Sequence, residues 1–144
     1  MTVIAWDGVT VAADSMANED GLSSTVTKLH TFKDGVLADV GELWACAAMR
    51  AWLTGDGAFP NVSGADASLI VFGPLGEVQE YQSTPYPLEE FSAPYAWGCG
   101  RDLALGAMLA GATAVEAARI ACERSIYCGG PVHCWKPGKA VRIK

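Results

Sequence analysis

Three residues near the start of the chain have the side chains that an activated threonine needs to cleave an amide: Thr2, Asp14 and Lys28. Removal of Met1 would make Thr2 the terminal residue, and threonine is small enough for methionine aminopeptidase to accept the preceding Met. The freed α-amine has a pKa of about 7.7–8.0, so it can take the hydroxyl proton directly or through one water. A carboxylate and a buried cation would orient the threonine and lower the proton affinity of its hydroxyl.

A β-hairpin is expected to bring the first two of these residues together. Thr2–Trp6 and Val9–Ala13 are β-rich runs on either side of Asp7-Gly8, which are favoured residues of a two-residue type I′ turn. The register predicted from that turn pairs Trp6 with Val9, Val3 with Ala12, and Thr2 with Ala13. Asp14 then lies beside Thr2.

The lysine occurs in a run that alternates like a strand. In Ser23–Phe32, the residues Val26, Lys28, His30 and Phe32 share one face. A lysine among mostly apolar neighbours predicts a buried ammonium, which we expect to pair with Asp14. The alternative is that Thr2, Asp14 and Lys28 are an ordinary strand residue, a strand end and a solvated lysine, and spacing alone favours it.

The rest of the chain predicts a mixed α and β organisation. The expected helices are Glu42–Leu53, ended by Thr54-Gly55-Asp56-Gly57, then Asp102–Ala110, and Ala114–Arg124 with a capping box from Thr113 to Glu116. The expected later strands are Ala67–Gly73, Glu77–Gln82, Tyr95–Gly100 and one or two strands ending at Lys144. The order is four strands, a helix, two or three strands, two helices and a strand, in a single domain covering residues 1–144.

Composition excludes several classes of function. A net charge of −6 and a pI near 4.7, without a Lys/Arg cluster, argue against nucleic acid as a partner. The apolar windows are shorter than the ~20 residues that a membrane span requires, so no membrane partner is expected. The five cysteines are an odd number, which is typical of a reduced cytosol and predicts a cytoplasmic protein.

The pattern resembles the proteasome-like N-terminal nucleophile hydrolases: proteasome β-subunits, the bacterial protease HslV, and especially short relatives encoded by phages. The resemblance covers nearly the whole chain. Its carriers are Met1-Thr2-Val-Ile-Ala, Val11-Ala-Ala-Asp14-Ser, Thr27-Lys28-Leu, Gly41, Tyr95-Ala-Trp-Gly98-Cys-Gly100-Arg-Asp-Leu-Ala-Leu-Gly106-Ala-Met, and Tyr127-Cys-Gly129-Gly-Pro-Val. It implies a four-layer αββα sandwich of two stacked antiparallel sheets flanked by helices.

The resemblance also implies roles for individual residues. Thr2 matches the nucleophile, Asp14 the orienting aspartate and Lys28 the catalytic lysine. Cys99, beside Gly100, stands where a family serine helps to bind the nucleophile's amine, and a thiol is a weaker hydrogen-bonding group. The oxyanion-hole glycine of the family has no clear match, and Ala38 or Asp39 would hold its place in the run that ends at Gly41.

The expected function is therefore threonine-type hydrolysis of peptides through an acyl-enzyme, with no cofactor. The open alternatives are a catalytically silent proteasome-like ring or scaffold that keeps Met1, and a small-molecule amidase on the same fold. The expected partners are a peptide or unfolded-protein substrate and further copies of the chain in a ring. The sequence leaves open whether an ATP-driven unfoldase is also a partner.

Two further features bear on partners. A chain with 51% hydrophobic and 18% charged residues has more apolar side chain than one small core readily hides, so a homo-oligomer is expected. The helix with Trp44 and Trp52 is equally consistent with an interface and with plain core.

No metal site is expected. The candidate ligands lack the paired spacing of a structural zinc site; they are Cys122, Cys128, His133 and Cys134.

Overall fold

The structure is a computed structural model that describes residues 1–55 and 57–144. The described residues form three helices and eleven strands. The helices are α1 (Leu43–Thr54), α2 (Arg101–Leu109) and α3 (Ala114–Arg124). The strands are β1 (Ile4–Trp6), β2 (Val11–Ala13), β3 (Met16–Glu19), β4 (Leu22–Thr25), β5 (Leu29–Phe32), β6 (Gly35–Gly41), β7 (Ala67–Phe72), β8 (Val78–Tyr81), β9 (Tyr95–Trp97), β10 (His133–Trp135) and β11 (Arg142–Ile143).

Two antiparallel sheets form the centre of the molecule. One has five strands in the order β11-β10-β2-β1-β9, and the other has four in the order β5-β6-β7-β8. Strands β3 and β4 form a separate two-stranded ribbon. Both sheets are antiparallel. Each sheet can therefore bury one face against the other sheet and its opposite face against helices.

The burial pattern sorts these elements into four layers. On β1, Ala5 packs into a cluster with α2 and α3, whereas Ile4 and Trp6 pack against the four-stranded sheet. The opposite face of that second sheet packs against α1, where Leu37 contacts a cluster with Met49. The layer order is therefore α1, four-stranded sheet, five-stranded sheet, α2 with α3. This confirms the predicted αββα sandwich.

The predicted hairpin register is wrong by two residues. Ile4 pairs with Ala13 and Trp6 with Val11, and the loop between β1 and β2 has four residues. The cause is the Asp7 carboxylate, which accepts hydrogen bonds from the amides of Val9 and Thr10 and thereby forms a wider turn. A shift of two preserves the face on which each side chain lies, so the predicted core face is unchanged.

The predicted strand Ser23–Phe32 is also interrupted. It divides into β4 and β5, with residues 26–28 outside both strands. Strand β3 was not predicted. It pairs with β4, and Met16 lies opposite Thr25. The break lets the chain leave the ribbon and enter the four-stranded sheet immediately after Lys28.

The predicted helices agree closely with the structure. The capping box is formed, since the Glu116 amide donates to Thr113 Oγ1 at 3.2 Å. The predicted stop of α1 includes Asp56, which lies outside the described residues. On α1, Trp44 is 58% exposed, whereas Trp52 packs edge-on against Phe59 and Tyr81. Within the described residues, no helix combines the length and the apolar character needed to span a membrane.

Candidate active site

Thr2 lies at the entrance to β1 and is only 2% exposed. Its carbonyl accepts a hydrogen bond from the Gly100 amide at 3.1 Å, which connects it to the start of α2. Gly98, with a φ of 92°, packs so closely that an added Cβ would lie 2.2 Å from the Thr2 carbonyl oxygen. The backbone of Thr2 is thus held firmly by the turn that follows β9.

Gly98→Ala is expected to displace Thr2, because the new methyl group would meet the Thr2 carbonyl and the residue would adopt an unfavourable positive φ. The matched control is Gly138→Ala, where φ is 80° and nothing lies within 4 Å of the added Cβ. We expect about 1–2 kcal/mol of destabilisation in the control and several kcal/mol more in Gly98→Ala. Urea unfolding of both variants measures the difference, and equal losses would contradict the close packing.

Asp14 follows β2 and is completely buried. Its Oδ1 accepts hydrogen bonds from the Val3 amide at 3.1 Å and from Lys28 Nζ at 2.9 Å. Its Oδ2 accepts from the amides of Gly129 at 3.2 Å and Met16 at 3.4 Å. Four donors from separate segments therefore satisfy this carboxylate and fix its orientation.

Lys28 precedes β5 and is 2% exposed. Its ammonium donates to Asp14 Oδ1 at 2.9 Å, to Thr2 Oγ1 at 3.2 Å and to the Met1 carbonyl at 2.9 Å. All three ammonium hydrogens therefore have acceptors. The expectation of a buried Lys28 paired with Asp14 is confirmed.

This arrangement places the hydroxyl of Thr2 against a buried positive charge. A cation 3.2 Å from Oγ1 stabilises negative charge on that oxygen, and Asp14 balances the cation. The role of Gly129 was not predicted. Its amide, far from Asp14 along the chain, donates a hydrogen bond to the Asp14 carboxylate. No local sequence signal reveals that contact.

Two cavities open on either side of Thr2. One has a volume of about 250 Å³ and extends past Lys28 and Asp39, and the other has about 390 Å³ and extends past Gly98 and Cys99. They share four lining residues, which are Met1, Thr2, Gly41 and Asp66. A chain lying across Thr2 could therefore occupy both.

Ala38 and Asp39 are placed differently from each other. Ala38 is fully buried in the core and lines neither cavity. Asp39 lines the smaller cavity, but its amide donates to the Lys28 carbonyl at 2.9 Å and so is already engaged. Its side chain accepts from His30 Nε2 at 3.0 Å and from Arg50. In this structure the Asp39 amide is therefore engaged, and Ala38 lies away from both cavities.

The alternation of β6 indicates a different amide. The Asp39 amide points towards β5 and the Glu42 amide points to the opposite side, where it donates to the Asp66 carbonyl at 2.9 Å. Because successive amides of a strand alternate, the Gly41 amide lies on the β5 side. Gly41 lines both cavities.

The other two predicted contact residues lie beside Thr2. Cys99 is exposed and lines the larger cavity. Gly100 does not line either cavity and contacts Thr2 through its amide. Gly100 therefore contacts Thr2 through its backbone, and Cys99 shares the larger cavity with Thr2.

Three of the cysteine thiols other than Cys99 have low reactivity. Burial raises the pKa of Cys46 and of Cys122 to about 12, with further increases from Asp39 and Asp14 respectively. Burial raises the pKa of Cys128 to about 11, again with a contribution from Asp14. These thiols stay protonated near neutral pH and are poor nucleophiles. In the part of the chain that the structure describes, no group of three His, Cys, Asp or Glu side chains could hold a metal ion.

Comparison with known proteins supports the architecture. No family model and no curated protein matches the chain. The structure is similar to that of Thiobacillus denitrificans BPH in complex with epoxomicin, with a TM-score of 0.63 and 16% identity over 99% of this chain and 97% of that chain. A second structure of Thiobacillus denitrificans BPH aligns over the same shares of the two chains, with a TM-score of 0.63 and 17% identity. The fold is of the proteasome-like class.

Proposed function

We propose that this protein is a proteasome-like threonine hydrolase that cleaves peptide bonds through an acyl-enzyme on Thr2. The observation that carries the proposal is the buried network in which Lys28 Nζ lies 3.2 Å from Thr2 Oγ1 and 2.9 Å from Asp14 Oδ1. A buried ammonium facing a hydroxyl at a cavity wall is costly to build, and its use is the activation of that oxygen. The complex of BPH with epoxomicin, a proteasome inhibitor, supports the same class of activity.

The proposed reaction begins with a free Thr2 amine. The amine takes the Oγ proton, directly or through one water, as Oγ attacks the substrate carbonyl. The tetrahedral intermediate collapses, the C–N bond breaks, and the leaving amine receives the proton. Water then attacks the ester with the amine again as base, which releases the acid product and restores Thr2. Lys28 stabilises the developing charge on Oγ, and Asp14 holds Lys28 in place.

The residue before Thr2 must be removed for this chemistry. Met1 lines both cavities, and its carbonyl accepts a hydrogen bond from Lys28 Nζ at 2.9 Å. Its departure would open the space above Thr2 and free one ammonium hydrogen beside Oγ1. A water or a substrate carbonyl can then accept that hydrogen.

We also propose that the Gly41 amide stabilises the oxyanion. The alternation of β6 directs this amide to the β5 side, and Gly41 lines both cavities. A preorganised backbone donor at that position would stabilise the charge that develops on the substrate oxygen. Glycine is required there because φ is 92° and an added Cβ would lie 2.0 Å from the Asp66 carbonyl oxygen.

The N-terminal residue of the purified protein tests the first requirement of the mechanism. We expect the mature chain to begin at Thr2, because only a free α-amine can act as the base. Intact mass and N-terminal peptide sequencing measure this. If Met1 is uniformly retained and the preparation cleaves peptides, the proposed role of the amine is overturned. If Met1 is retained and the preparation is inactive, a silent scaffold is favoured.

We further propose that the chain assembles into a closed ring around Thr2. Exposed apolar side chains occur on both outer helical layers, with Trp44 58% exposed on α1 and Leu109 70% exposed on α2. Cyclic symmetry requires contacts between two different surfaces, which these layers provide. A ring would restrict the site to peptides or unfolded chains, and an ATP-driven unfoldase would be the natural partner.

Light scattering at micromolar concentration tests the assembly. We expect a mass several times that of the 15.1 kDa chain, since apolar patches of this kind usually mark interfaces. Trp44→Glu should shift the protein towards monomer, because it places a charge in the proposed contact. Leu75→Glu is a matched control, since Leu75 is 92% exposed in the turn between β7 and β8. A monomer of the unaltered chain would contradict the ring.

A further inference from the structure

The larger cavity beside Thr2 contains a carboxylate that the proposed mechanism does not use. Glu80 lies on β8 and is only 7% exposed. Its Oε1 accepts a hydrogen bond from Trp97 Nε1 at 3.0 Å, and its Oε2 accepts from Ser68 Oγ and Gln82 Nε2, each at 3.0 Å. The indole and amide N–H groups can only donate, so both oxygens act as acceptors, as in an ionised carboxylate.

Glu80 lacks a charged partner among the residues that the structure describes. No ammonium, guanidinium or imidazole nitrogen lies within 4.0 Å of its oxygens. Arg101 lines the same cavity, but its side chain is 62% exposed and Nη1 donates to the Gly98 carbonyl at 3.1 Å. A buried carboxylate held only by neutral donors would be stabilised further by a cation entering the cavity.

The walls of the cavity also favour a cation. Phe91, Tyr95 and Trp97 line it together, with ring centroids 5.3 Å, 5.4 Å and 4.8 Å apart in the three pairs. The faces of aromatic rings attract ammonium and guanidinium groups, and the apolar rings also pack against the aliphatic stem of a basic side chain. The volume of about 390 Å³ lies within the usual range for small-ligand pockets.

We propose that this cavity binds a lysine or arginine side chain of the substrate, with Glu80 as the residue that determines this specificity. The inference rests on the proposed function. Thr2 and Glu80 line one cavity, so a peptide positioned for attack by Thr2 Oγ places a neighbouring residue against Glu80. The substrates are therefore peptides with a basic residue close to the bond that is cleaved.

The test uses internally quenched peptides that differ in a single residue. Arginine is placed in turn at three positions on each side of the cleaved bond, and each peptide is compared with its citrulline counterpart, which has the same shape without the charge. We expect at least about a tenfold advantage in kcat/KM for arginine at one position, since a hydrogen bond to a charged group can account for that ratio. Equal cleavage of every pair by the unaltered protein would overturn the proposal.

Two variants assign the preference to this cavity. Glu80→Gln should reduce the arginine advantage to about twofold or less. Tyr95→Leu, which removes one aromatic wall, should lower the advantage severalfold. Glu90→Gln is the control, since it removes the same charge from an exposed residue near Phe91 that does not line the cavity. Full selectivity in both Glu80→Gln and Tyr95→Leu would overturn the proposal.

Binding separates this inference from the proposed function. Fluorescence anisotropy of labelled peptides on Thr2→Ala, which cannot form the acyl-enzyme, reports recognition alone. Tighter binding of the arginine peptide without any cleavage by the unaltered protein would overturn the proposed function and support the basic-residue cavity. Peptide cleavage by the unaltered protein, with no preference for arginine in cleavage or in binding, would support the proposed function and overturn the basic-residue cavity.

Discussion

Thr2→Ala is expected to abolish peptide cleavage, with a fall in kcat of at least about a thousandfold, because the variant has no oxygen to form the acyl-enzyme. The fold should survive. Thr2 lies just before β1, and the hydrogen bond from the Gly100 amide to its carbonyl does not involve the side chain. We expect a loss of less than about 2 kcal/mol in the free energy of unfolding. Steady-state cleavage and urea unfolding measure the two effects.

Two further variants show that the loss is chemical. Thr2→Ser keeps both the hydroxyl and the terminal amine, so it should retain measurable activity. Thr31→Ala, at an exposed position of β5, should leave activity unchanged. Cleavage that persists in a folded Thr2→Ala protein would exclude the proposed nucleophile, and an equal loss of activity and stability would indicate that Thr2 has only a structural role.

Lys28→Met is expected to remove activity and to destabilise the fold, because it leaves the completely buried Asp14 carboxylate without its cation. Breaking a buried ion pair from one side typically costs about 3–5 kcal/mol. The hydroxyl of Thr2 also loses the positive charge 3.2 Å away, so cleavage should fall even under conditions where the variant stays folded. Urea unfolding and cleavage assays on the same samples measure both losses.

A double-mutant cycle separates pairing from packing. Asp14→Asn alone leaves the Lys28 ammonium buried without a counter-charge, whereas Asp14→Asn with Lys28→Met removes both charges. We expect the double variant to lose clearly less stability than the sum of the two single losses. Lys139→Met, at an exposed position, should stay within about 0.5 kcal/mol of the unaltered protein. Strict additivity would show that Lys28 and Asp14 do not interact.

Comparison of the sequence prediction with the structure shows where local rules are sufficient. The span of α3 was predicted correctly because the Thr113 hydroxyl caps its first turn, a contact between residues three apart. The burial of Lys28, predicted from its mostly apolar neighbours in the run, is confirmed, although Lys28 lies just before β5 and not within a strand. The four-layer arrangement was implied by the family resemblance and fits the order of strands and helices, because each apolar face needs a cover.

The same local rules failed where a distant contact competes with them. The turn after Trp6 is wider than predicted because Asp7 Oδ1 binds the amides of Val9 and Thr10 and Oδ2 receives the Ala114 amide at 3.0 Å from the start of α3. An Asp-Gly pair favours a tight turn when considered alone. A carboxylate shared between a turn and a helix is visible only once the helix has docked.

The chemistry of the site divides in the same way. The side-chain types of the site can be read from the sequence alone: the hydroxyl of Thr2, the carboxylate of Asp14 and the amine of Lys28. Two further features are visible only in the folded chain: Gly129 completes the shell around Asp14, and Glu80 shares a cavity with Thr2. Side-chain chemistry and periodicity are local properties, whereas these contacts join segments far apart in the chain and exist only when the layers pack.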